Sequence, residues 1–170
     1  MQALQRAELI APLRCSAAAG VPIFAICLGL QLLCEGSDEA PDVPGLGLLS
    51  GRCHRLPSTV RLPHLGWNYV ESDPAARGLA SGYAAFANSY ALIEAPDDCH
   101  AAFAQHGTKF IAGLERGRLL ACQFHPELSG AFGAELLRAW LEDRRPTLPR
   151  DASSARGLTR RIIPCLDVRD

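Results

Sequence analysis

The stretch Gly20-Val21-Pro22-Ile23-Phe24-Ala25-Ile26-Cys27-Leu28-Gly29-Leu30-Gln31 constrains this chain more than any other. An apolar run too short for a membrane span stops at a cysteine, and helix-forming sequence begins at once. Such a run is expected to be a strand buried on both faces, as in a parallel sheet covered by helices. A cysteine on the turn between strand and helix stands at a helix N-terminus, where the partial positive charge favours thiolate over thiol. Ala25 and Gly29, two before and two after it, are small enough for a tight strand–nucleophile–helix turn. A buried structural thiol is the other reading of an isolated cysteine in this place.

The rest of the composition excludes more than it assigns. A chain of 170 residues suffices for one ordinary domain. A net charge of −1 gives no electrostatic case for nucleic acid or an anionic membrane as partner. No apolar run can span a bilayer, and acidic Glu8 interrupts the only apolar segment near the start, unlike a signal peptide. The seven cysteines are scattered, with no Cys-x-x-Cys pair, so neither a disulfide framework nor a zinc site is indicated. Reduced thiols in the cytoplasm account for them most simply.

Before the cysteine, Met1 to Ala19 reads as a helix with Leu4, Leu9, Ile10 and Leu13 on its apolar side and a break at Pro12. A helix leading directly into the nucleophile-bearing strand looks like the middle of a domain, because central strands of doubly wound sheets come early. After it, Leu28 to Glu35 continues as a short helix, and Leu48 to Leu56 as a weak strand or irregular segment. Arg61 to Val70 mixes turn formers with aromatics and is expected at the surface. Gly82 to Ile93 and Ala101 to Gln105 alternate as strands do. Phe110–Leu114 and Leu119–Phe124 flank a hairpin turn. Ala131 to Glu142 is expected to be an amphipathic helix with Leu136, Leu137, Trp140 and Leu141 inward. Residues 143–157 lack an apolar face and read as a linker, and residues 158–170 resume as a strand that would open a second domain.

Gln123-Phe124-His125-Pro126-Glu127 brings a second chemical group. In extended chain, residues two apart point to one side, so His125 and Glu127 can lie together. A histidine that serves a nucleophile needs a partner on its other ring nitrogen, and Glu127 could be that partner; an exposed, solvated loop is the alternative. With Cys27 on its elbow the three would form a thiolate triad. The N–H of Leu28 would provide one oxyanion donor.

Four segments, Ala-Ile-Cys-Leu-Gly-Leu-Gln at 25–31, Leu-Pro-His-Leu-Gly-Trp-Asn at 62–68, Asn-Ser-Tyr at 88–90 and Gln-Phe-His-Pro-Glu at 123–127, together resemble the class I glutamine amidotransferases. More narrowly they resemble the glutaminase subunits of imidazole glycerol phosphate synthase, over residues 1 to 142. Arg-Arg-Ile-Ile-Pro-Cys-Leu-Asp-Val at 160–168 is similar to the first barrel strand of the cyclase in the same synthase. The resemblance implies an α/β, flavodoxin-like, mostly parallel sheet flanked by helices, incomplete at its N-terminus relative to the family, whose first strands supply the second oxyanion donor. It implies hydrolysis of L-glutamine to glutamate and ammonia, with no metal or organic cofactor. The ammonia would pass to a cyclase, separate or fused, for histidine biosynthesis. By position, Cys27 would be the nucleophile, His125 the base and acid, Glu127 the orienting carboxylate. Gln31 and the backbone around Ser89 and Tyr90 would hold glutamine. Trp67, Asn68 and Arg161 would face the cyclase, and Asp167 would match the cyclase's catalytic acid. The sequence departs from the family at Ala25, where glycine is found, and at Asn88, where histidine is usual. A non-catalytic remnant of the synthase and another cysteine hydrolase of γ-glutamyl amides are the rival readings.

Overall fold

The computed structural model describes residues 1–148. Along the chain run α1 (Gln2–Arg6), α2 (Ile10–Ala18), β1 (Ile23–Ile26), α3 (Leu28–Leu33), β2 (Gly36–Ser37), β3 (Arg52–Arg55), β4 (His64–Ser72), β5 (Gly82–Asn88), β6 (Tyr90–Leu92), β7 (His100–His106), β8 (Thr108–Arg116), β9 (Leu119–Cys122), a single 3-10 turn (Pro126–Leu128) and α4 (Gly130–Leu141). Six strands form one sheet in the order β1-β9-β8-β7-β4-β5, and β2-β3-β6 form a smaller one. The α/β class is the one expected, but the pairing is mixed rather than mostly parallel. β1 with β9 and β2 with β3 are parallel, and every other ladder among the described residues is antiparallel. Short connections explain this: β7, β8 and β9 succeed one another through tight turns, which can only reverse the chain.

The run ending at Cys27 is not buried on both faces. β1 is an edge of the sheet, with Ala25 its only buried residue, and Val21 just ahead of it is 49% exposed. The doubly buried strands are β9, buried at all four positions, and the middle of β8. Their side chains alternate between two cores. Phe110, Ala112, Leu120 and Cys122 join Phe86, Phe124, Phe132 and Leu136 on one face. Ile111, Leu119 and Ala121 join Leu30, Leu33 and Leu49 on the other. Each fully buried Phe or Leu contributes roughly 1.5–3 kcal/mol relative to exposure.

Three helix expectations need correction. The first helix breaks at Ala7–Leu9, where Glu8 has φ +55, and not at Pro12. Pro12 lies in the first turn of α2, where its missing N–H forfeits no helical bond. Ile10 and Leu13 pack on the second core, whereas Leu9 is exposed. In α4 the inward side is Phe132, Leu136 and Ala139, while Leu141 is 75% exposed because, five residues beyond Leu136, it has turned away from the core. Arg61 to Val70, read as irregular, contains most of β4, a nine-residue strand held by β5 on one side and by β7 on the other.

Behind β4 lies a buried histidine. His64 is 5% exposed, stacks on His106 at 4.0 Å and on Phe86 at 4.8 Å, and accepts from the Asn68 amide at 3.3 Å. Burial, and then the neighbouring His106, push it down to about 4 from the usual 6.5. Between these values the unfolded chain binds the proton and the folded one does not, so stability falls as the pH drops from 6.5 to 4. The expected loss is on the order of 3 kcal/mol. Urea unfolding across this range will show the slope in the native chain and a flatter curve in His64→Gln; equal slopes would refute the assignment.

Beyond α4, Glu135 holds the chain end. Its carboxylate accepts from Arg144 at 2.6 Å and from the Thr147 backbone at 2.7 Å. The remainder of the expected linker, the cyclase-like strand, Arg161 and Asp167 lie outside the described residues. No helix among the described residues is long and apolar enough to cross a membrane.

Candidate active site

The parallel pairing of β1 with β9 builds the site. Ala25 lies opposite Ala121 and Ile26 opposite Cys122, and the Cys27 N–H donates to the Cys122 carbonyl at 2.7 Å. Both strands therefore end together, so Cys27 after β1 and Gln123 to Glu127 after β9 converge beyond their C-terminal ends. That edge is where open α/β sheets place their ligands.

Cys27 has φ +51 and ψ −106, a conformation costly for any residue with a side chain. It precedes α3, whose first N–H, that of Leu28, meets no acceptor among the described residues. The turn is as close-packed as its small residues imply: a Cβ on Gly29 would stand 3.3 Å from that of Ala25.

On the other arm the His125 N–H donates to the Ala85 carbonyl at 2.8 Å, so the turn is bridged to β5. Ser129, 1% exposed, ties the same turn twice, its hydroxyl donating to the His125 carbonyl at 2.6 Å and accepting from the Ala85 N–H at 2.9 Å. His125 Nδ1 meets Glu127 Oε1 at 2.7 Å, the side-to-side pairing that their spacing implies. The Cys27 sulfur raises His125 most, Glu127 adds to it, and partial burial opposes both, leaving the imidazole at about 9. It is thus a cation at neutral pH, beside the sulfur it would serve. The folded chain keeps a proton that the unfolded chain releases between about 6.5 and 9, so this pair stabilises less as the pH rises through that window. For catalysis, kcat/KM is expected to decline as the pH passes about 9, since a proton donor is lost there. Glu127→Gln should move that decline to lower pH; an unmoved profile would show that Glu127 does not govern His125.

Gln31 and Tyr90 also come together. The Gln31 amide, 8% exposed, donates to the Tyr90 carbonyl at 3.2 Å and to Gln123 Oε1 at 3.2 Å. The Ser89 carbonyl accepts from the Leu56 N–H, so both carbonyls are committed within the chain. Trp67 is 60% exposed on β4, opposite Ala85. The rim of its indole would lie 3.7 Å from a Cβ on Gly130, which places it beside the His125 turn. Asn68 is turned to the Gln105 carbonyl at 2.8 Å. Sequence reading singled out neither Gln123 nor Ser129 nor Gly133. Gln123 was visible only as a letter of the His-Pro-Glu segment, and the other two carry no local signal.

The fold and site define a class, and comparison agrees with it: residues 4–143 match the class-I glutamine amidotransferase family, and the chain belongs to that family. Within it, the chain is 41% identical over 152 residues to the imidazole glycerol phosphate synthase subunit HisH of Deinococcus radiodurans, covering 86% of this chain and 71% of that one. It is 42% identical over 144 residues to the HisH subunit of Symbiobacterium thermophilum, covering 82% and 68%. With the chloroplastic synthase hisHF of Arabidopsis thaliana it shares 36% over 156 residues, 87% of this chain but 26% of that protein. A glutamine amidotransferase crystal structure superposes with a TM-score of 0.64 at 22% identity, covering 82% of this chain and 69% of that one, and supports the fold.

Proposed function

We propose that this chain hydrolyses L-glutamine to glutamate and ammonia through a thioester on Cys27, as the glutaminase of an imidazole glycerol phosphate synthase. The observation that carries the reading is the convergence of Cys27 and the His125–Glu127 pair beyond the paired ends of β1 and β9. The Cys27 sulfur attacks the side-chain carbonyl of glutamine, and the carbonyl electrons move onto oxygen, facing the free Leu28 N–H. Collapse expels the amine, which takes the proton held by His125 and leaves as ammonia. The neutral imidazole then takes a proton from water, hydroxide attacks the thioester, and glutamate and the cysteine are released. Glu127 keeps the imidazole oriented throughout. Gln31, Ser89 and Tyr90 would form the wall against which glutamine lies.

A cyclase subunit or domain is the partner this reading calls for. Leu65, Trp67, Tyr69 and Tyr83 are 43–61% exposed on β4 and β5 next to the His125 turn, an apolar face of the kind that docks protein. Ammonia released beside Trp67 would then leave towards the partner. A reducing cytoplasm suits the six free cysteines of the described residues. The test is chemical. Incubation with glutamine and hydroxylamine, with and without a cyclase, should yield γ-glutamyl hydroxamate beside glutamate, because a thioester is aminolysed. Glutamate released with no hydroxamate at any hydroxylamine concentration would exclude the covalent route.

A further inference from the structure

Gln123 is fully buried, yet its side chain touches the nucleophile. Its Nε2 donates to Cys27 Sγ at 3.5 Å, and its Oε1 accepts from Gln31 Nε2 at 3.2 Å. The direction of these bonds is set from outside the site. The Tyr90 carbonyl can only accept, and it receives both Gln31 Nε2 and, at 3.1 Å, Asn88 Nδ2. Gln31 must therefore present its NH2 group on that side. The same NH2 group lies against Gln123, so Gln123 must answer with its oxygen. Its own NH2 is then left facing the sulfur. A backbone carbonyl thus imposes, through two amides, an N–H donor on Cys27.

We propose that Gln123 is a positioning residue for the nucleophile, holding the Cys27 sulfur from its buried side by an N–H whose polarity the Tyr90 carbonyl fixes through Gln31. The inference rests on the reading of Cys27 as nucleophile and goes beyond the triad. An N–H donor favours an anionic sulfur over a neutral one, since bonds to ionised acceptors are the stronger kind. It acts when the sulfur attacks and again when it leaves the thioester, and it anchors the sulfur so that its outer side meets the substrate. Gln123 itself exchanges no proton and forms no bond to glutamine.

Two variants test this. Gln123→Met keeps the length and removes both bonds; Gln123→Glu keeps shape and the acceptor for Gln31 but presents oxygen to the sulfur. The rate of Cys27 alkylation by iodoacetamide at pH 7, read peptide by peptide, should fall roughly tenfold in each. The kcat for glutamine should fall by a similar factor, with KM within about twofold, because the lost contact is to the nucleophile and not to the substrate. Cooperative unfolding identifies which variant is folded, and the near-isosteric Gln123→Glu decides if Gln123→Met is not. Native alkylation and kcat in either folded variant would overturn the proposal, as would a loss carried by KM alone. Failure here with glutamine hydrolysis still dependent on Cys27 leaves the glutaminase reading intact. Slowed alkylation in a chain that releases no ammonia would support the Gln123 contact and refute the glutaminase reading.

Discussion

Replacing Cys27 by alanine is expected to abolish glutamine hydrolysis, a fall on the order of 10⁴-fold or more, since triad members fail as a unit. Replacing it by glycine should abolish activity equally and also stabilise the chain. At φ +51 and ψ −106 the native residue is strained by its own Cβ, and glycine removes that strain. Such strain typically costs about 1–3 kcal/mol, and the greater backbone freedom of an unfolded glycine offsets part of it, so a net gain near ~1 kcal/mol is expected. Ammonia release and urea unfolding measure the two effects on the same preparations. Activity surviving in Cys27→Ala would place the nucleophile elsewhere, and the described residues offer poor substitutes. Cys34, Cys53 and Cys122 are buried, and burial pushes the Cys99 thiol up to about 11. A glycine variant less stable than the alanine one would show that the elbow is not strained.

Gly133→Ala, a change of one methyl group on α4, should disable the site from behind. A Cβ there would stand 1.8 Å from the Pro126 carbonyl oxygen and 2.6 Å from its carbon. Both are backbone atoms in the turn that carries His125 and Glu127, so no side chain can swing aside. Either α4 or that turn must retreat. The turn is held by its bond to Ala85 and by Ser129, which caps the start of α4, so a retreat disturbs both. Displacing a catalytic group by about 1 Å can cost about 10²-fold, and a fall of that order in kcat/KM is expected. Overpacking should lower stability by about 1–3 kcal/mol, in spite of the roughly 1 kcal/mol by which alanine is the better helix former. Wild-type kinetics in Gly133→Ala would mean that the contact relaxes at no cost to His125. The neighbouring Ala134 is exposed, and its replacement by serine is the control.

The sequence by itself determined the parts whose chemistry is local. A strand stopping at Cys27, the small residues on either side of the turn, and the two-residue spacing of His125 and Glu127 are consequences of backbone geometry and residue type. The structure has each of them in place. The family was legible for the same reason, since its motifs are short and contiguous.

Tertiary structure decided what depends on distant neighbours. Nothing around Ile23–Ile26 says whether that strand is central or at an edge, because burial of an apolar run depends on which strands flank it; β9 and β8 took the centre. Arg61 to Val70 lacks strand-like composition and became β4 only through pairing with β5 and β7. The roles of Gln123, Ser129 and Gly133 exist only once β1 and β9 lie in parallel register and α4 folds back on the turn. Sequence could name a cysteine and a histidine, but a parallel ladder between residues nearly a hundred positions apart was needed to bring them to one edge, with an N–H aimed at the sulfur.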